Sequence, residues 1–284
     1  MTIAVALLAS DGVVLGADST VTVFSNEGYV SNLLTGSQKL FQLGQNRPYG
    51  FVFFGTGAFG RRSYRDLLVK FEATLGPKGP PVREVAERFH DFIRDAWPAE
   101  AAGIGVPDAP LPDTGFLIGG CGVDEEHCSF SRVHLRPGEG AGVEPVTHCD
   151  LPGWFQFEGC PNPAHRLLYG FDPESWEIVA AHIPEENHQT VLDALFAPSL
   201  HRPAPSPTLP LRDAIDYVHW IVHATIKYYK FIEGPQVCGG KVEVACVTSD
   251  RGFRWVTHKS LDWCIGDCEG QTEYSPVDPH RLGR

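Results

Sequence analysis

"TIAVALLASDGVVLGADS", residues 2–19, decides the fold. It reads as two strands, 2–9 and 13–19, joined by a turn at Ser10, Asp11 and Gly12, because an Asp-Gly pair between β-rich runs favours a hairpin. Thr2 opens the first strand and Asp18 lies near the end of the second. A threonine left at a chain's N-terminus carries a hydroxyl nucleophile and a free amine on one residue. Loss of Met1 alone would then create half an active site.

Working outward, a polar loop over 25–37 leads to the strand "KLFQL" (39–43), a turn near Asn46, Arg47 and Pro48, and the strand "YGFVFFG" (49–55). From Ala58 the period turns helical, with Tyr64, Leu67, Leu68 and Phe71 on one face and Arg61, Arg65, Asp66 and Lys70 elsewhere. After the break "GPKGPP" (76–81), "VREVAERFHDFIRDAW" predicts a second amphipathic helix with Val82, Val85, Phe89 and Phe92 as its apolar points. A Pro-rich loop (106–113) precedes a hairpin, "GFLIGGCGVD" and "CSFSRVHLRPG", and the strand "GWFQFEG", which together make a second sheet's worth of strands. Helix is expected near 163–169 and 187–196, and proline makes 197–210 a loop. "LRDAIDYVHWIVHATIKYYKFI" (211–232) is a strong helix with Ile215, Val218, Val222, Ile226 and Tyr229 at three- and four-residue steps, and two closing strands flank a Ser-Asp-Arg-Gly turn. Sheet, helices, sheet, helices, strands: this order suits a layered α+β domain.

Composition narrows the function. The chain has 284 residues, 43% of them hydrophobic, enough for a substantial core. Its formal charge of −12 argues against generic binding to nucleic acid or anionic membrane, both of which need a basic surface. No apolar run reaches the roughly 18–20 residues that span a bilayer, and the start lacks the basic region of a signal peptide. A cytoplasmic location is expected, and with it eight reduced cysteines, most of them buried as small hydrophobes.

Four stretches in order carry a resemblance: Thr2 with "DGVVLGADS" (11–19), "QKLFQL" (38–43), "FFGTGAFG" (53–60) running into a helix, and "CGGKVEVACVTSDRG" (238–252). The arrangement resembles the N-terminal-nucleophile hydrolases of the proteasome β-subunit type, including bacterial proteasome-like proteins. The resemblance implies a four-layer α-β-β-α sandwich of two antiparallel sheets, a single domain over residues 1–284 with loop insertions near 25–37, 106–113 and 197–210. It implies threonine-type hydrolysis of peptides or amides, self-association in a ring or related assembly, and room for an ATPase partner. No cofactor and no metal enters this chemistry.

Under that resemblance Thr2 Oγ is the nucleophile and its own α-amine, with a reference pKa of about 7.7–8.0, is the base. Lys39 beside it lowers the pKa values of hydroxyl and amine, Asp18 holds and orients that ammonium, and the backbone N–H of Gly55 stabilises the oxyanion. The family also carries a supporting Ser and an Asp-x-x-Ser. Here Glu158 or Cys160 falls at the first position, and Lys230 and Glu233 fall near the second, so a Glu158, Lys230 and Glu233 set would have to rebuild the support. The alternative is a catalytically silent scaffold or assembly subunit of the same fold.

Other signals are weaker. His258, Cys264 and Cys268 cluster in "HKSLDWCIGDC", and Cys149 follows His148, but a lone C-x3-C lacks the paired spacing of a zinc site. No local motif marks any Cys/His pair as nucleophilic. "GTGAFG" (55–60) sits at a strand–helix junction, yet it lacks the Lys-Ser/Thr ending of a phosphate loop.

Overall fold

In the computed structural model, which describes residues 2–25, 30–44, 48–76, 79–122, 125–136, 146–196 and 203–259, both faces of the first hairpin are covered. Strands β1 (Ile3–Leu8) and β2 (Val13–Ala17) pair antiparallel, with Val5 opposite Gly16 and Leu7 opposite Val14. Side chains alternate across a strand. Ile3, Val5, Leu7 and Val14 therefore enter one apolar cluster, and Ala4, Ala6, Leu8, Val13, Leu15 and Ala17 enter another. Burial on both faces explains why these strands are almost uninterrupted in apolar residues.

The remaining elements follow in chain order: β3 (Val21–Phe24), β4 (Val30–Leu34), β5 (Leu40–Gln42), β6 (Tyr49–Gly55), α1 (Tyr64–Glu72), α2 (Val82–Gly103), β7 (Thr114–Gly120), β8 (Ser129–Leu135), β9 (Thr147–Cys149), β10 (Phe155–Gly159), α3 (Asn162–Tyr169), α4 (Pro173–Ala180), α5 (His188–Leu195), α6 (Leu211–Phe231), β11 (Glu243–Thr248) and β12 (Gly252–Thr257). They form two five-stranded sheets, ordered β10-β1-β2-β11-β12 and β5-β6-β7-β8-β9, and a separate β3–β4 ribbon, all antiparallel. This is an α+β architecture.

Three apolar clusters hold it together. Tyr64, Leu67, Leu68 and Phe71 of α1, and Val82, Val85 and Phe89 of α2, pack on Phe51, Phe53, Phe116 and Val133 of the second sheet. Leu15, Ala245, Val52 and Leu117 meet where the two sheets face each other. Ala164 and Leu168 of α3 and Val218, Ile221 and Val222 of α6 cover the far side of the first sheet. A Cβ on Gly16 would lie 2.4 Å from Val218 Cγ1, so this glycine lets α6 approach the sheet.

Several features depart from the sequence reading, among them the short strands β3 and β9, which it did not mark. Residues 30–34, inside the segment read as loop, form β4 and pair with β3, because a two-stranded ribbon with exposed side chains leaves little apolar pattern. β10 does not join the β7–β8 hairpin but lies against β1, with Ile3 opposite Gly159. The helix α4 was not anticipated: it has only eight residues and none of them is buried, although Asp172 caps its first turn at Ser175 N and Pro173 begins it. Finally, the expectation of eight reduced cysteines is corrected at one pair. Pairing of Gly120 with Ser129 sets Cys121 and Cys128 side by side, 4.2 Å between Cα atoms, and they are joined in a disulfide. Cys160, Cys238 and Cys246 are buried free thiols, and Cys264 and Cys268 lie outside the described residues. No helix among the described residues is long and apolar enough to cross a membrane.

Candidate functional site

Strand ends converge on Thr2. It stands one residue before β1, 2% exposed, and lines an open cleft of ≈ 410 Å³ with Val21, Thr22, Phe24, Phe53, Gly55, Thr56, Gly57, Asp113 and Gly159. Pairing of β1 with β10 is what brings Gly159 here. Its φ is +90°, and a Cβ would sit 2.1 Å from the carbonyl oxygen of Thr2, so only glycine allows β10 to close on the residue.

Behind Thr2 lies a buried ion pair. Lys39 and Asp18 are both 0% exposed, with Nζ 2.7 Å from Oδ1. The same Oδ1 accepts the backbone N–H of Ile3 at 3.2 Å, the peptide that links Thr2 to β1. Oδ2 accepts from Thr20 N at 3.1 Å and Gly239 N at 3.0 Å. With four donors the carboxylate is fully occupied, which is the condition under which a buried charge pair holds fixed geometry. Asp18 thus ties together the start of β1, the end of β2, Lys39 before β5 and the turn before β11.

Gly55 ends β6 opposite Thr114 with φ +87°, and a Cβ would lie 2.4 Å from Asp113 O. Thr56 completes this corner, its N–H and its Oγ1 both donating to Asp113 O at 2.9 Å. Tyr64 at the start of α1 binds Thr56 O and Thr114 Oγ1 through its hydroxyl, and burial pushes its pKa up, so it remains a neutral donor.

Of the residues considered as support, Glu158 pairs with Arg132 Nε at 2.5 Å and accepts from Gln156 Nε2 at 2.7 Å. It does not line the cleft. Lys230 and Glu233 are exposed at and beyond the end of α6, Lys230 over the ring of Phe231. Cys160 follows Gly159 and hydrogen-bonds Cys238, which lowers its thiol pKa, while burial raises that of Cys238. The structure therefore brings Thr2, Asp18, Lys39 and Gly55 to one corner, and none of Glu158, Lys230 and Glu233 lines the cleft beside Thr2.

Three contributors escaped the sequence reading: Asp113, Gly159 and Gly239. A non-glycine residue at 159 would clash, but a single glycine after a strand carries no signal of the partner it accommodates. His258 stacks on Trp255 and meets Glu243 at 3.1 Å, and His148 meets Ser131 Oγ at 2.8 Å. Among the described residues no group of three or more His, Cys, Asp or Glu side chains is arranged to hold a metal.

No known family's sequence profile matches the chain, and no curated protein sequence does. Among solved structures it is similar to a Gly-1 mutant of Anbu from Hyphomicrobium sp. strain MC1, a bacterial protein of proteasome-like fold, at a TM-score of 0.52 and 14% identity, over 92% of this chain and 88% of that one. At that identity the likeness concerns the fold.

Proposed function

We propose that the chain is a threonine-type amide hydrolase acting on peptides, with Thr2 as an N-terminal nucleophile, in a four-layer α-β-β-α fold of the proteasome kind. The observation that carries this reading is the position of Thr2 on the cleft, joined to a peptide whose N–H donates to the Asp18 oxygen that also binds Lys39. Processing that frees the Thr2 amine supplies the base. The amine takes the proton from Oγ, Oγ attacks the substrate carbonyl carbon, and the oxyanion forms toward Gly55. Proton transfer from the ammonium to the leaving nitrogen breaks the amide and leaves an ester on Thr2, which water hydrolyses by the same base. Lys39 acts throughout as a fixed cation near the reacting residue, and self-association belongs to the same proposal.

A second reading, a silent scaffold, is favoured by one observation: Glu158, Lys230 and Glu233 do not gather around Thr2. Cleavage of fluorogenic peptide amides by purified protein separates the two. The hydrolase reading expects turnover that Thr2→Ala lowers by about 100-fold or more, with folding intact by circular dichroism. Turnover unaffected by Thr2→Ala contradicts it.

A further inference from the structure

The cleft beside Thr2 has one ionisable side chain among its described lining residues, Asp113. Its carboxylate is 62% exposed, yet the residue is fixed at both ends. The carbonyl is bound by Thr56 N and Oγ1, and Oδ1 lies 2.8 Å from Nε2 of His134, a side chain 5% exposed. The tautomer of that histidine follows from its other nitrogen. Nδ1 receives Arg132 at 2.6 Å and Arg136 at 3.3 Å, and guanidinium groups only donate. Nε2 is therefore the nitrogen that donates to Asp113 Oδ1, and His134 orients that carboxylate. No donor among the described residues reaches Oδ2.

Charge is also separated across this cluster. Arg132 is matched by Glu158, and both arginines lie on the far side of His134, off the cleft lining. The Asp113 end of the cluster borders the cleft. Val21, Phe24 and Phe53 give the cleft apolar walls. An aliphatic stem against such walls with a cationic head at a carboxylate describes lysine or arginine. A formal charge of −12 would also draw cationic peptides toward the molecule.

We propose that Asp113 is a specificity residue that selects a lysine or arginine side chain next to the scissile amide. The proposal rests on the hydrolase reading for the word scissile, but the subsite can be tested apart from it. Three peptide amides identical except for Lys, Leu or Glu preceding the cleaved bond are compared on the wild-type protein and on Asp113→Asn, whose side-chain oxygen still accepts from His134. The expected kcat/KM for Lys exceeds that for Leu by about 10- to 100-fold, with Glu poorest, and in Asp113→Asn the Lys-to-Leu ratio falls to about 1. A ratio that Asp113→Asn leaves unchanged, or a preference for Leu or Glu, overturns the subsite while the hydrolase reading stands. If none of the three is cleaved, the hydrolase reading fails, and calorimetry of the same peptides decides the subsite. Tighter binding of the Lys peptide that Asp113→Asn removes supports it, and equal or absent binding of the three overturns it.

Discussion

At the scale of single residues, the buried Asp18–Lys39 pair ties several parts of the chain together. Asp18 has no exposure and takes donors from four places in the chain, so removing the cation strands a buried carboxylate. Lys39→Ala is expected to destabilise the fold by about 3–5 kcal/mol, measured by urea denaturation, in addition to abolishing turnover. A variant of unchanged stability would mean the pair is not formed. Each of Thr2, Asp18, Lys39 and Gly55 sits at the end of a strand that the sequence marks, so their nearness follows from strand pairing. Asp113 was not legible. It reaches Gly55 through the β6–β7 pairing, and nothing local to a Pro-rich loop announces which strand end it will meet.

At the scale of elements, the helices α1, α2 and α6, whose apolar spacing is regular, were readable in place, while α4 was not. The face of α1 follows from the spacing of Tyr64, Leu67, Leu68 and Phe71, all of which are buried, whereas α4 buries none of its residues. Strand existence was readable too, but partners were not: β10 lies more than a hundred residues from β1, and only the completed core selects that edge. The α2 helix is anchored by Phe89, fully buried, with its ring edge-on to Phe51, Phe71 and Phe116. Phe89→Ala should cost about 3–5 kcal/mol, seen as a lower denaturation midpoint. A loss within about 0.5 kcal/mol, the ordinary range for surface substitutions, would mean that α2 does not pack there.

At the scale of the whole molecule, three histidines set an acid limit on stability. Burial lowers the pKa of His148, His165 and His223 below the ordinary histidine value, helped at His148 by Arg83 and at His223 by Lys227. The unfolded chain then binds more protons than the folded one as pH drops, so their cost is absent above the unfolded value and grows as pH falls through it. Stability should therefore decline between about pH 7 and about pH 5, and His165→Phe, replacing a ring packed edge-on against Phe157, should flatten the decline. A steeper decline in His165→Phe would contradict the assignment. Both sheets, the ribbon and the helices converge in this account on one chemical condition, a free amine on Thr2. Intact-mass and N-terminal sequencing of the native purified protein measure it directly. The expected chain begins at Thr2 with an unmodified amine; a chain that retains Met1, or one whose Thr2 amine is acetylated, would rule out the hydrolase reading, because the catalytic base would be missing.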